Sequence, residues 1–179
     1  MEYVLSQCFG AVGVICFIAS FQIKNNRKLF LVQIIANIMF GIQFVLLGAY
    51  TGCISLVICI VRNFLMMERN RWKWTDSWIV CGIFLALSFV NTLFNWEGWF
   101  SVFSFGAVAG STIGYWSNNA RAIRTSNLFC ASPCWMIYDI AVGAWAGVVN
   151  EVIAMASVII SVIRFGWKQL GESGRDFND

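Results

Sequence analysis

Two carboxylates, Asp139 and Glu151, lie inside strongly apolar stretches of the chain. An ionised carboxylate at mid-bilayer costs about 2.5–3.5 kcal/mol on insertion scales, so such a residue faces a partner or a wet cavity. Asp139 precedes the turn at Ala146–Gly147 and Glu151 follows it. Folded as a hairpin, the two come within a few helical residues of each other. Two carboxylates held that close resist being ionised together, which suits a proton relay or a cation site. The alternative is that Glu151 reaches the outer interface and Asp139 hydrogen-bonds to Tyr138 or to neighbouring Trp side chains. Trp135 lies deep in the same stretch and offers a ring for stacking, although packing or lipid contact accounts for it equally well.

Other chemistry is poorly supplied. The chain has no His and so lacks the commonest acid/base group and metal ligand. Its seven cysteines are an odd number, all in apolar runs and never as C-x-x-C. Cys130 and Cys134 share a helix face, but a zinc site needs about four ligands. They read as small buried hydrophobes. No metal, cofactor or nucleophile constellation is expected, and therefore no enzyme. A net charge of +3 gives no reason to expect a nucleic-acid partner.

The elements that must hold Asp139 and Glu151 follow from composition. Hydrophobic residues make up 59% of the 179 and charged residues 12%, against about 45–50% and 25% in soluble domains. With a mean hydropathy of +0.72, the chain reads as an all-α integral membrane protein. Runs of about 20 apolar residues suffice to span a bilayer. Seven are predicted: Tyr3–Gln22, Lys28–Tyr50, Thr51–Met67, Trp78–Asn95, Gly98–Ser117, Asn127–Ala146 and Gly147–Trp167. The first has its positive charges after it rather than before, the reverse of a cleaved signal peptide.

Seven spans put all twelve cations on one side: Lys24, Arg27, Lys28, Arg62, Arg69, Arg71, Lys73, Arg121, Arg124, Arg164, Lys168 and Arg175. The positive-inside rule makes that side cytoplasmic, with the N-terminus out and the C-terminus in. Arg62 and Arg164, near span ends, are expected to snorkel to phosphates, or else to serve as an inner gate or an anion contact. Trp72, Trp74, Trp78, Trp96, Trp99 and Trp167 flank spans as an aromatic belt does.

The chain also repeats itself. Phe9-Gly10-Ala11-Val12 recurs at Phe105–Val108, and Gly48-Ala49-Tyr50-Thr51-Gly52 recurs as Gly143-Ala144-Trp145-Ala146-Gly147. Asn25-Asn26 and Asn118-Asn119 each open a basic loop, and Arg62 and Arg164 each end a third helix. Spans one to three thus match spans five to seven in parallel orientation, a 3+1+3 plan with a solute site expected at the repeat interface. The division is residues 1–67 as the first three-helix bundle, 68–97 as basic loop and linker helix, 98–167 as the second bundle, and 168–179 as a polar cytoplasmic tail. At the repeat offset, Phe44 and Leu56 stand where Asp139 and Glu151 stand, so the acidic pair belongs to the second bundle alone. Gly106, Gly110 and Gly114 form one smooth helix face, expected at a close seam between the bundles. Gly10 and Gly13 make a weaker version in span one.

With Leu46–Tyr50, Arg62, Cys134–Ile137, Glu151 and Ile163–Phe165, the chain resembles the YgjV family of bacterial inner-membrane proteins. Its plan distantly resembles the SWEET, semiSWEET and PQ-loop superfamily of small-solute transporters. That resemblance implies alternating access by two bundles. It also implies a pocket in which Trp135 and Asn150 stand for the superfamily's second-helix Trp and third-helix Asn. In the first bundle Gln43 and Ser55 are polar at comparable depth. The Pro-Gln pair of that superfamily is missing, with Ser20-Phe21-Gln22 and Gly114-Tyr115-Trp116 in its places.

The expected protein is therefore a multi-pass small-solute transporter or facilitator in the bacterial inner membrane. Gln43, Trp135, Asp139, Asn150 and Glu151 would line its pocket, with a proton or cation as coupling ion. Its partners are the lipid bilayer and a small polar solute. A monomer suffices, and a homo-oligomer is compatible. The alternative is a non-transporting receptor or assembly subunit of the same fold.

Overall fold

A computed structural model describes residues 2–20, 26–69, 71–117 and 119–169. Gln22, Lys24, Asn25, Asn118 and Arg175 lie outside the described residues, as do the side chains of Arg27, Arg164, Trp167 and Lys168. The described residues are helical throughout, with no strand among them. The helices are α1 (Glu2–Ser20), α2 (Asn26–Leu46), α3 (Tyr50–Met67), α4 (Trp78–Phe94), α5 (Ser101–Trp116), α6 (Ala120–Ser126), α7 (Ser132–Val142) and α8 (Trp145–Gln169). A π-turn, Asn127–Ala131, joins α6 and α7 into one continuous rod, so eight helices make seven rods. By length and composition α1, residues 28–46 of α2, and α3 can each cross a membrane alone; α4 and the described part of α8 are shorter apolar helices.

Local chemistry sets the boundaries. The π-turn precedes Pro133, which has no N–H to return to the carbonyl of Phe129 and whose ring crowds it. The helix widens there, and the Ser132 N–H reaches back to Asn127 O. Ser77 caps α4 by accepting from Ile79 N at 3.2 Å, and Asn119 caps α6 by accepting from Arg121 N at 2.9 Å. Helices α2 and α7 end in the same way. Gly48 (φ 72°) and Gly143 (φ 74°) take the left-handed conformation. Ala49 N then donates to Phe44 O at 2.9 Å, and Ala144 N to Asp139 O at 2.8 Å. These are Schellman turns, which glycine makes without strain. The second break falls at Gly143 and not at the expected Ala146–Gly147, so Gly147 belongs to α8.

Packing closes six rods into a ring. Helix α2 packs between α1 and α3, and the α6–α7 rod lies against both α5 and α8. The ring closes where α1 meets α8 and α3 meets α5, while α4 packs against α3 and α5. Burial is inverted relative to a soluble protein. Gln43, Thr51, Ser55, Arg62, Asn63, Asp139 and Asn150 are buried, while many large apolar side chains face outward, up to Phe94 at 84% exposure. An apolar solvent around the ring requires this inversion, because polar groups facing lipid would go unpaired.

The glycine face of α5 packs inside one half rather than between halves. A Cβ at Gly106 would meet Cys134 Sγ at 3.2 Å, one at Gly110 Cys130 Sγ at 2.6 Å, and one at Gly114 Ser126 Cβ at 3.1 Å. Spacing of four runs in opposite directions on the two partners, so small residues interlock along the seam with the α6–α7 rod. Ser126 Oγ donates to Gly110 O. This corrects the inter-bundle placement expected for these glycines and gives Cys130 and Cys134 their packing role.

The connection after α3 carries Arg69, Arg71 and Lys73, and helix α6 carries Arg121 and Arg124, at the end of the ring where α2 also begins with Lys28. The Leu47–Ala49, Asn95–Phe100 and Gly143–Ala144 connections at the other end carry no Lys or Arg.

Candidate functional site: a central cavity

The ring encloses a cavity of about 580 Å³. Its walls come from α1, α2, α3, α5, the α6–α7 rod and α8, with no described residue of α4. It reaches from Phe44, Trp135 and Asp139 near the Gly48/Gly143 end to Leu29, Arg69, Asp76 and Arg124 at the basic end.

Opposite walls correspond residue by residue. Phe40 and Trp135, Phe44 and Asp139, Leu56 and Glu151, Cys59 and Ala154, and Arg62 and Ser157 all line the cavity, and each pair is 95 residues apart. The counterpart of Arg62 in this register is Ser157, two helical turns short of Arg164.

At the closed end Asp139 is 3% exposed. It packs on Gly147 of α8, where a side chain would collide with the carboxylate. The hairpin at Gly143 creates this contact. Asp139 Oδ1 has no hydrogen-bond partner, and its neighbour Tyr138 bonds elsewhere. Glu151, one turn beyond Gly147, is close enough for its charge to act on Asp139. Asn150 Nδ2 donates to Glu151 Oε1 at 3.1 Å, which leaves the buried Asn150 Oδ1 without a partner. Thus Asp139, Asn150, Glu151 and Trp135 share one cavity.

Gln43 and Ser55 do not line it. One residue round the helix from Phe44, Gln43 turns to the α1 seam. There its Nε2 donates to Gln7 Oε1 at 3.2 Å, and its side chain fills the space over Gly10. Ser55 shares a 2.7 Å hydrogen bond with Ser104 of α5 and accepts from Asn91 Nδ2 of α4 at 3.0 Å. It ties α4 to the α3–α5 contact.

Arg62 overturns the snorkelling expectation. It is 4% exposed. Its Nη1 donates to Ser111 Oγ at 2.7 Å and to Thr112 Oγ1 at 3.0 Å. Its guanidinium lies 4.8 Å from the Tyr115 ring centroid, and Nε is unpartnered. The face of α3 that carries Arg62 also carries Ser55, Cys59 and Met66, all buried. That periodicity was the available signal that Arg62 points inward.

The closed end is sealed by an aromatic cluster and a latch. Phe44 stacks on Trp135 at 6.1 Å between ring centroids and meets Tyr138 edge-on at 5.6 Å. The Tyr138 hydroxyl accepts from Gly52 N at 2.7 Å and donates to Glu97 Oε2 at 3.2 Å. Glu97 Oε1 accepts from Thr51 N at 2.8 Å, and Thr51 Oγ1 donates to Asn95 O. One tyrosine therefore joins α7, the N-terminus of α3 and the loop before α5. Glu97 was not singled out in the sequence because its role depends on two distant partners.

Over residues 4–169 the sequence matches the family described as Imp-YgjV, bacterial inner membrane protein. No curated protein and no solved structure matches it.

Proposed function

Starting from the premise that the chain belongs to the Imp-YgjV family of bacterial inner membrane proteins, we propose that it carries a small polar solute across that membrane by alternating access. The observation that carries this reading is a cavity with buried polar and charged side chains in its wall, reaching the basic end of the ring and sealed at the other end by the Tyr138 latch. The basic end is cytoplasmic by the positive-inside rule, so the conformation is inward-facing with the C-terminus inside. The chain acts by binding and release, without covalent chemistry.

The moving parts are two three-helix units, α1–α3 and α5–α8, joined by α4 as in SWEET-type transporters. Three features support the duplication: wall residues 95 apart, the identical turns at Gly48 and Gly143, and the reciprocal contacts α1 with α8 and α3 with α5. Parallel repeats of this kind place the solute on the pseudo-two-fold axis and open it to each side in turn. Asp139 carries the coupling proton or binds the coupling cation. The charged groups that line the cavity with it are Glu151 of α8, Arg62 of α3 and, at the basic end, Arg69, Asp76 and Arg124.

Access is directly measurable. All seven native cysteines are replaced and Ser157→Cys, in the cavity wall, is introduced. A charged thiol reagent then labels it from the cytoplasmic face of inverted vesicles. Adding Gly52→Val, which displaces Tyr138, opens labelling from the periplasmic face. Labelling that never changes sides rules out alternating access. In proteoliposomes, uptake that ignores a pH gradient and survives Asp139→Asn rules out proton coupling.

A further inference from the structure

We infer that the solute is an ω-amino acid-like zwitterion, its ammonium held between Asp139, Glu151 and Asn150 and its carboxylate held by Arg62. This rests on the cavity being the solute site, as proposed above. The hydrogen-bonding needs of the two ends are opposite. At the closed end the unmet atoms are acceptors, Asp139 Oδ1 and Asn150 Oδ1, on side chains only 3% and 4% exposed. A group rich in N–H donors and positively charged satisfies both, and a neutral hydroxyl offers a single donor. Nearer the mouth the unmet atoms are donors, Arg62 Nε and Arg124 Nη1, and the partners of the Arg62 guanidinium are neutral: Ser111, Thr112 and the side-chain oxygen of Asn63. Among the described residues Arg62 has no carboxylate within ion-pair distance.

The charges cannot satisfy each other. Arg62 lies twelve residues into α3 and Glu151 six into α8, counted from the same end of the ring. At 1.5 Å per residue they stand about 9 Å apart along the axis. On α3 and α8 the wall between them includes Leu56, Cys59 and Ala154, which suits methylenes. At the closed end the Phe44–Trp135 pair supplies ring surface beside the ammonium site, favourable to a cation. A chain of five or six carbons between ammonium and carboxylate reaches both ends, and glycine reaches only one.

The test uses the purified full chain in detergent, titrated with glycine, 4-aminobutanoate, 6-aminohexanoate, hexylamine, hexanoate and glucose, with binding read by calorimetry. The expected order places 6-aminohexanoate at least about tenfold tighter than glycine or either singly charged six-carbon compound, since two charged contacts add. Arg62→Gln should weaken 6-aminohexanoate about tenfold and leave hexylamine unchanged, and Asp139→Asn should weaken both. Arg62→Lys, which keeps the charge, guards against misfolding by restoring part of the affinity. If no zwitterion binds a monodisperse preparation, or glucose binds best, or Arg62→Gln weakens hexylamine equally, the inference is overturned. Flux assays separate it from transport itself. Tight zwitterion binding without flux defeats the transporter reading and leaves the ligand assignment standing, while flux of an uncharged solute does the opposite.

Discussion

The two halves of the ring build equivalent places from different materials. In the first half α2 is an uninterrupted α-helix, and its last inward residue before the Gly48 turn is Phe44. In the second, the equivalent rod carries a π-turn and Pro133, and the residue in the same place before Gly143 is Asp139. The paired glycines differ likewise. Gly52 makes room for Tyr138 from the other half, whereas Gly147 makes room for Asp139 of its own hairpin. Near the closed end the first half thus supplies Phe44 and Leu56 where the second supplies Asp139 and Glu151, with a helix irregularity beside them. The backbone scaffold tolerates either filling, so the polar groups at the closed end are not demanded by the architecture. Their burial cost needs an offset elsewhere, which the proposed solute or proton would provide.

The contrast breaks most sharply if its two equivalent residues respond alike. Asp139→Asn is expected to lower solute affinity about 100-fold, the loss of roughly 2.7 kcal/mol for a charged hydrogen bond. Phe44→Leu, which keeps the wall apolar, should stay within about threefold by the same conversion. Equal losses in a binding titration would mean that the closed end acts by shape alone.

Glycine seams come next. At Gly110 an added methyl meets Cys130 Sγ at 2.6 Å and Cys130 Cβ at 3.0 Å; at Gly13 it meets only the Phe40 ring, at 3.1 Å. Gly110→Ala should therefore cost about 1–3 kcal/mol of stability by overpacking. Gly13→Ala should cost less, and Cys130→Ala should rescue the former. Melting curves in detergent decide this.

Gly52→Ala should cost about 1 kcal/mol, one hydrogen bond between the halves. Its signature is raised labelling of the closed end rather than lost binding. The smallest effect is expected from Pro133→Ala, which restores an N–H donor in the second half. A change below about 1 kcal/mol in melting is anticipated, with relaxation of the π-turn visible as slower amide exchange at residues 127–132. An unchanged exchange pattern would detach the π-turn from the proline.

The rods were legible in the sequence because an apolar run between charged or glycine-rich loops has few alternatives. All seven expected spans coincide with rods to within a few residues, except that the sixth rod begins earlier, at Ala120. What the sequence left open was direction. Arg62 lies near the end of its span, and depth alone suggests the interface, but the helix turns it inward onto Ser111 and Thr112. Gln43 has the depth of a pocket residue and the azimuth of a seam residue. The α5 glycines signal a close approach without naming its partner. For Gln43 and the α5 glycines tertiary packing decides between faces of one helix, which local pattern in a single chain does not encode; for Arg62 the face shared with Ser55, Cys59 and Met66 carried the signal. Asp139 and Glu151 were traceable because a tight hairpin brings its own two arms together, whereas Asn150 was reached only through the superfamily resemblance.

Among the described residues, α1, residues 28–46 of α2, and α3 are long and apolar enough to cross a bilayer alone, and this bears on how the protein is made. The first half can leave the insertion machinery one helix at a time, each stable in lipid by itself. The sixth rod starts with Arg121 and Arg124 and carries Asp139 near its far end, so it enters lipid at a disadvantage unless α5 and α8 already cover it. The glycine seam with α5 and the Gly143 hairpin with α8 are the contacts that cover it.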